Sequence, residues 1–153
     1  MTKDSSIPVQ RLGAGDSDRL RAINALFGEA FEDPEHYGDA PPCDAHLRRL
    51  LASDSFIALA ASVDGRVVGG LTAYDLVKAE AETSEIYLYD IAVAADFRRR
   101  GIATALIDAL RGIARDRGAG VIFVQADRDD PPAIALYTGL GTRADVHHFD
   151  IAP

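Results

Sequence analysis

Three observations predict a mixed β-sheet with helices on both faces. An apolar, β-branched and aromatic run, Ile86 to Val93, reads as a buried strand and passes through a polar turn, Ala94 to Arg100, into a helical pattern from Gly101. Two further apolar runs flank Asp64-Gly65, a strong hairpin signal. Strand and helix patterns then alternate to the C-terminus, which implies crossovers between parallel strands.

The elements follow in order. Ile7 to Leu12 is a short first strand, closed by Gly13-Ala14-Gly15, after a polar start at residues 1–6 that is expected to fray. Asp16 or Ser17 caps a helix to about Phe31, with Leu20, Ile23, Ala25-Leu26-Phe27 and Ala30 inward. Glu32-Asp33-Pro34-Glu35 breaks that pattern, and Tyr37 to Pro42 is a loop. Asp44 caps a second helix, Ala45 to Ala52. Phe56–Val63 and Arg66–Val77 form the hairpin, with a bulge or kink at Gly69-Gly70. Lys78 to Ser84 is a charged loop before the central strand.

The helix from about Gly101 to Arg117 ends at Gly118. Val121 to Ala126 is a strand parallel to the central one, and Asp127 to Pro132 a polar loop. A short helix, Ala133 to Leu140, stops at Gly141, and Thr142 to Ile151 forms a last strand. The predicted order is β-α-α-β-β-β-α-β-α-β, in one domain over residues 1–153.

Composition narrows the function classes. A chain of 153 residues with 48% apolar and 26% charged residues can bury a core, so disorder is not expected. A net charge of −8 argues against a nucleic-acid binder and suits a cationic partner. The one cysteine, Cys43, excludes an internal disulfide and a thiolate zinc cluster. His147 and His148 are adjacent on the expected last strand and point apart, so no metal site is expected. No signal-peptide pattern and no membrane-length apolar run occur, so the cytoplasm is the expected location.

The basic turn carries the chemistry. A strand, a tight turn and a helix N-terminus together make an anion site, because the first helical N–H groups lack internal partners and the helix dipole favours negative charge. Gly101 lets the main chain approach a phosphate, and Ala103 keeps the next position small.

Arg98-x-x-Gly101-x-Ala103, following Ile91-x-Val93, resembles the acetyl-CoA signature of the Gcn5-related N-acetyltransferase (GNAT) superfamily. Asp130-x-x-Ala133-x-x-Leu136-Tyr137-x-x-Leu140-Gly141 is similar to its second motif, with Asp130 where Asn is frequent. The strings SFIALAA, SEIYLYDIAV, RRRGIATALI, VIFVQAD, ALYTGLG and HFDIAP resemble the type I aminoglycoside 3-N-acetyltransferases, the gentamicin acetyltransferase group. Gly139 falls inside the expected last helix and should loosen it around Tyr137, by about 1 kcal/mol relative to Ala.

The resemblance implies an α/β (α+β) GNAT-type fold that transfers acetyl from acetyl-CoA to an amine, by direct attack in a ternary complex, in a homodimer. It places the cofactor pyrophosphate on Arg98, Arg99, Arg100, Gly101, Ile102, Ala103 and Thr104, with Asp130 and Ala133 nearby. It sets the thioester carbonyl near the N–H of Ile91 and the pantetheine arm along Ala92 and Val93, and makes Tyr137 the general acid.

The attacking amine must be neutral, so a carboxylate or a water chain takes its proton. Asp90 interrupts an apolar strand and is the first candidate, with Asp150 or a water relay behind it. Glu85 has odd parity relative to Asp90, so only a bulge would bring both to one face. Asp33, Glu80, Glu82, Glu85, Asp90, Asp127, Asp129 and Asp150 are the candidate substrate-binding acids for a polyamine such as an aminoglycoside, and Tyr87 and Tyr89 offer flat walls. The alternatives are an acetyltransferase for another small amine or a protein N-terminus, and a non-catalytic acyl-CoA-binding module.

Overall fold

The computed structural model describes residues 6–153, so most of the polar start lies outside the described residues. The elements are β1 (Val9–Arg11), α1 (Ser17–Ala30), α2 (Pro34–Gly38), α3 (Asp44–Leu51), β2 (Phe56–Val63), β3 (Arg66–Val77), β4 (Ser84–Val93), a 3₁₀ turn (Ala95–Phe97), α4 (Ile102–Arg117), β5 (Val121–Val124) and α5 (Pro131–Thr138). The five strands lie in chain order across one sheet. The first four pair antiparallel, and β5 runs parallel to β4, as the helical crossover requires.

Asp64 and Gly65 both take positive φ, the geometry a tight hairpin turn needs. The register slips once in this hairpin: Ala61 faces Gly69 and Ser62 faces Val67, leaving Val68 as the bulged residue. The neighbouring glycines have a different purpose. A Cβ on Gly69 would meet Ile102 Cγ2 of α4 at 2.7 Å, and one on Gly70 would meet Ile23 Cγ2 of α1 at 2.8 Å. The two residues point to opposite faces, so each lets one helix settle onto its side of the sheet. Ile23, Phe27, Leu71, Ile86, Leu106 and Leu110 fill the two layers and are buried.

Four expectations are corrected. Pro34 does not simply end the first helix. It opens a new short one, α2, whose N-cap Asp33 accepts a hydrogen bond from the His36 N–H. Pro suits that first turn because its missing N–H has no helical partner there. The predicted strand over 142–151 is not formed. This segment has no regular structure and is exposed, with Val146, Phe149 and Ile151 at 71%, 80% and 90%. A strand needs a neighbour for its backbone groups, and none of the described residues supplies one. The argument that His147 and His148 point apart on that strand therefore lapses; the His148 ring instead meets the Asp150 carboxylate at 2.9 Å. Gly139 is the C-cap of α5 rather than an interior residue, so it imposes no loosening inside the helix.

Candidate active site

The site grows from a second bulge. Thr72 of β3 faces Asp90, while Ala73 faces Leu88, so Tyr89 is the extra residue in β4. Antiparallel partners share a face, and Leu76, Tyr74 and Thr72 alternate regularly on β3. Their partners Glu85, Tyr87 and Asp90 therefore lie on one face of β4, the parity inversion that a bulge provides.

β5 pairs with β4 only from Glu85 to Leu88. Beyond the bulge, β4 continues to Val93 without β5 beside it, so Ile91, Ala92 and Val93 line an opening at the carboxyl end of the parallel pair. The following turn brings Arg98 Nε to the Val93 carbonyl at 3.4 Å. Arg99 and Gly101 both adopt left-handed backbone, φ 62° and 75°, just before the α4 N-terminus. Left-handed residues in a turn before a helix N-terminus are the backbone form that anion-binding nests use. A Cβ on Gly101 would meet nothing within 4 Å, so the nest is open. Arg98, Arg99 and Arg100 are exposed around it, and the Arg100 guanidinium lies 4.8 Å from the Phe97 ring centroid. Ile102 is buried under the turn and anchors it, while Ala103 and Thr104 continue the first helical turn. An adenine nucleotide's pyrophosphate fits this donor set in charge and in backbone geometry.

Asp90 is half-buried. Burial pushes its carboxyl above the usual carboxylate range, and a hydrogen bond from the Tyr37 hydroxyl to Oδ2, at 3.1 Å, opposes that rise together with the field of His36. Tyr37 comes from α2, where the sequence pattern predicts a loop. Nothing local marked it, because its partner lies 53 residues away. Tyr137 on α5 packs against the core, and burial, with the fields of Asp130 and Asp90, pushes its hydroxyl up to about 12. Asp130 caps α5 through Oδ1, which accepts the Ala133 N–H at 3.2 Å.

The remaining acids separate. Asp33 caps α2 and acts on Tyr37 through its field. Glu80 and Glu85 share Lys78, at 3.0 Å and 3.1 Å, which already balances them. Glu82 and Asp129 are exposed. The Asp127 carbonyl accepts the Asp130 N–H in the loop before α5, and Asp150 pairs with His148 in the C-terminal segment. Aromatic rings run along the Asp90 face: Tyr74 to Tyr89 at 5.6 Å, Tyr89 to Tyr87 at 5.4 Å, and Tyr87 stacked on Phe123 at 4.7 Å. The Tyr87 hydroxyl donates to Gln125 Oε1 at 2.8 Å. No helix among the described residues is long and apolar enough to cross a membrane.

Residues 20–142 match the model of the acetyltransferase (GNAT) family. The structure is similar to an aminoglycoside acetyltransferase from an uncultured soil metagenomic sample, with 55% identity, a TM-score of 0.94 and coverage of 97% of this chain and 99% of that one. A second soil aminoglycoside acetyltransferase, solved in complex with sisomicin, is 30% identical with a TM-score of 0.89, over 95% of each chain. A ribosomal-protein-alanine N-acetyltransferase of Salmonella typhimurium is 37% identical over 75 residues, 46% of this chain. The matches span only 38% and 51% of the lengths of the curated relatives concerned. With the nest, the opened strand pair and the family match over one chain, this protein belongs to the GNAT acetyltransferase family, whose acyl donor is acetyl-CoA.

Proposed function

We propose that this chain acetylates an amine of an aminoglycoside, the 3-amine, by direct attack in a ternary complex. The observation that carries the acceptor assignment is the 55% identity, over nearly the whole of both chains, to a soil aminoglycoside acetyltransferase. The net charge of −8 supports a polycationic acceptor. When bound, acetyl-CoA supplies an activated acetyl thioester.

The chain's residues hold and move protons around it. The N–H groups of the 98–104 turn hold the pyrophosphate, and Ile91 and Val93 present backbone groups along the open edge of β4. Asp90 takes the ammonium proton onto its carboxylate. The raised position of that carboxyl makes it a better base than a surface aspartate. Tyr137 keeps its proton at neutral pH, so it acts as a donor and not as a base. Asp33 and Asp90, which both act on the Tyr37 hydroxyl, border the acceptor cleft, and the Tyr74–Tyr87–Tyr89 rings form its wall.

We further propose a homodimer, supported by the exposed Val146, Phe149 and Ile151.

Free-thiol release from acetyl-CoA, measured with gentamicin, sisomicin, kanamycin, spermidine and a peptide amine, tests the acceptor. Turnover with gentamicin and an acetyl group mapped to its 3-amine is the expected result. Release only with spermidine or the peptide would replace the aminoglycoside reading with another amine, the peptide outcome following the Salmonella relative. No release with any amine would leave an acyl-CoA-binding module.

A further inference from the structure

The Tyr37–Asp90 contact has a seat built for it. Gly28 on α1 is buried, and a Cβ there would approach Tyr37 Cβ to 3.1 Å. The missing side chain lets α2 lie close against α1. The Tyr37 ring then packs among Phe27, Phe31 and His36, with centroids 6.0, 5.9 and 4.9 Å away. These contacts aim its hydroxyl at Asp90 Oδ2, and Oδ1 has no hydrogen-bond partner among the described residues. Among the described residues, Tyr37 is the side chain that hydrogen-bonds Asp90. The titratable groups that act on the carboxylate are Tyr37 and His36 from α2, and its own field reaches Tyr74 on β3, Tyr87 on β4 and Tyr137 on α5. Thr72 lies opposite in register, and Tyr89 is the bulged neighbour.

We propose that Tyr37 is the positioning residue of the amine-deprotonating carboxylate: its hydroxyl holds Asp90 Oδ2, fixes the rotamer and keeps the group ionised, so that Oδ1 is free to accept the ammonium proton. This rests on the reading of Asp90 as the base. The hydrogen bond favours the charged form and so offsets part of the effect of burial. Without it, the carboxyl would stay protonated to higher pH and would lose its fixed aim. Tyr37 itself moves no proton to the substrate. Burial and the neighbouring Asp90 raise its own ionisation well above that of a free tyrosine, so it remains a donor.

The test is Tyr37→Phe, which keeps the ring in its aromatic seat and removes only the hydroxyl. The kcat/KM for gentamicin should fall about ten-fold on the acid side of the profile, the size expected for losing a hydrogen bond to a charged group. It should recover toward the wild-type value as pH rises, with the acid limb displaced upward and the KM for acetyl-CoA unchanged. Carbon-13 carboxyl NMR of the aspartates reads the same shift without turnover: the Asp90 titration should move to higher pH. Gly28→Ala, whose Cβ would crowd Tyr37 Cβ at 3.1 Å and shift the ring, should move both readouts in the same direction.

An acid limb and an Asp90 titration both unchanged in Tyr37→Phe would overturn the proposal, even if turnover dropped. Full activity in Asp90→Asn would instead overturn the reading of Asp90 as base. The NMR shift would still measure the Tyr37 bond in that case, so the two failures remain distinct.

Discussion

Burial raises the Asp90 carboxyl above the usual carboxylate range, and the Tyr37 hydroxyl pulls it part of the way back. A carboxyl raised in the folded state binds its proton more tightly there than in the unfolded chain. Its burden on stability is absent in acid, where both states are protonated. It grows as pH rises through the unfolded value and is complete above the folded one. Asp90→Asn removes that burden and keeps a carbonyl to accept the Tyr37 hydroxyl. The variant should therefore melt higher than the wild type at neutral pH, with the difference closing in acid, and its turnover should fall about a hundred-fold. Thermal melts across pH with parallel thiol-release assays measure both; a less stable variant at neutral pH would show that the carboxylate contributes favourable contacts instead. Tyr137 makes a separate case. Its hydroxyl, pushed up to about 12, stays protonated through the working range. Tyr137→Phe should lower kcat more than it raises either KM, and unchanged kcat would remove it from the chemistry.

Gly69 and Gly70 couple two helices to the sheet. Adding one methyl at Gly70 drives it into Ile23, which is fully buried with nowhere to move, so Gly70→Ala should cost about 1–3 kcal/mol by overpacking. Gly69→Ala instead presses on Ile102, the residue that anchors the nest before α4, so it should also raise the KM for acetyl-CoA. Denaturant melts and donor kinetics of the two variants separate these effects; equal KM in both would uncouple Gly69 from the nest. The same elements show how far the sequence could be read. β2 and β3 were legible to their ends because a turn signal and long apolar runs bound them. The β4–turn–α4 unit was legible because strand, basic turn and glycine are contiguous. The glycine pair was legible as irregular, but its purpose was not, since Ile23 and Ile102 are brought to it by tertiary packing. α2 was hidden because Asp33-Pro34 ends one helix and caps the next with the same residues. The bulge at Tyr89 left no mark in the run around it, and it alone decides that Glu85 and Asp90 share a face.

At the scale of the molecule, the sheet ends on β5, whose outer edge has no strand among the described residues, and the chain ends in an exposed segment that fails to form the strand its composition suggests. Such an edge is a template for pairing, and exposed apolar residues that form one patch mark an interaction site. Val146, Phe149 and Ile151 gain most if a second copy covers them, and the backbone of 142–151 then finds partners that its own chain does not provide. The chain carries a charge of −8, so pairing of two copies would work against mutual repulsion and should tighten as salt rises through screening. Light scattering should give a dimer for the full chain, and Phe149→Asp or removal of residues 142–153 should give a monomer. The dimer's melting temperature should rise with protein concentration, and that of the truncated chain should not. A 153-residue chain that stays monomeric at every salt concentration, with a melting temperature independent of concentration, would leave the segment a free tail and end the dimer reading.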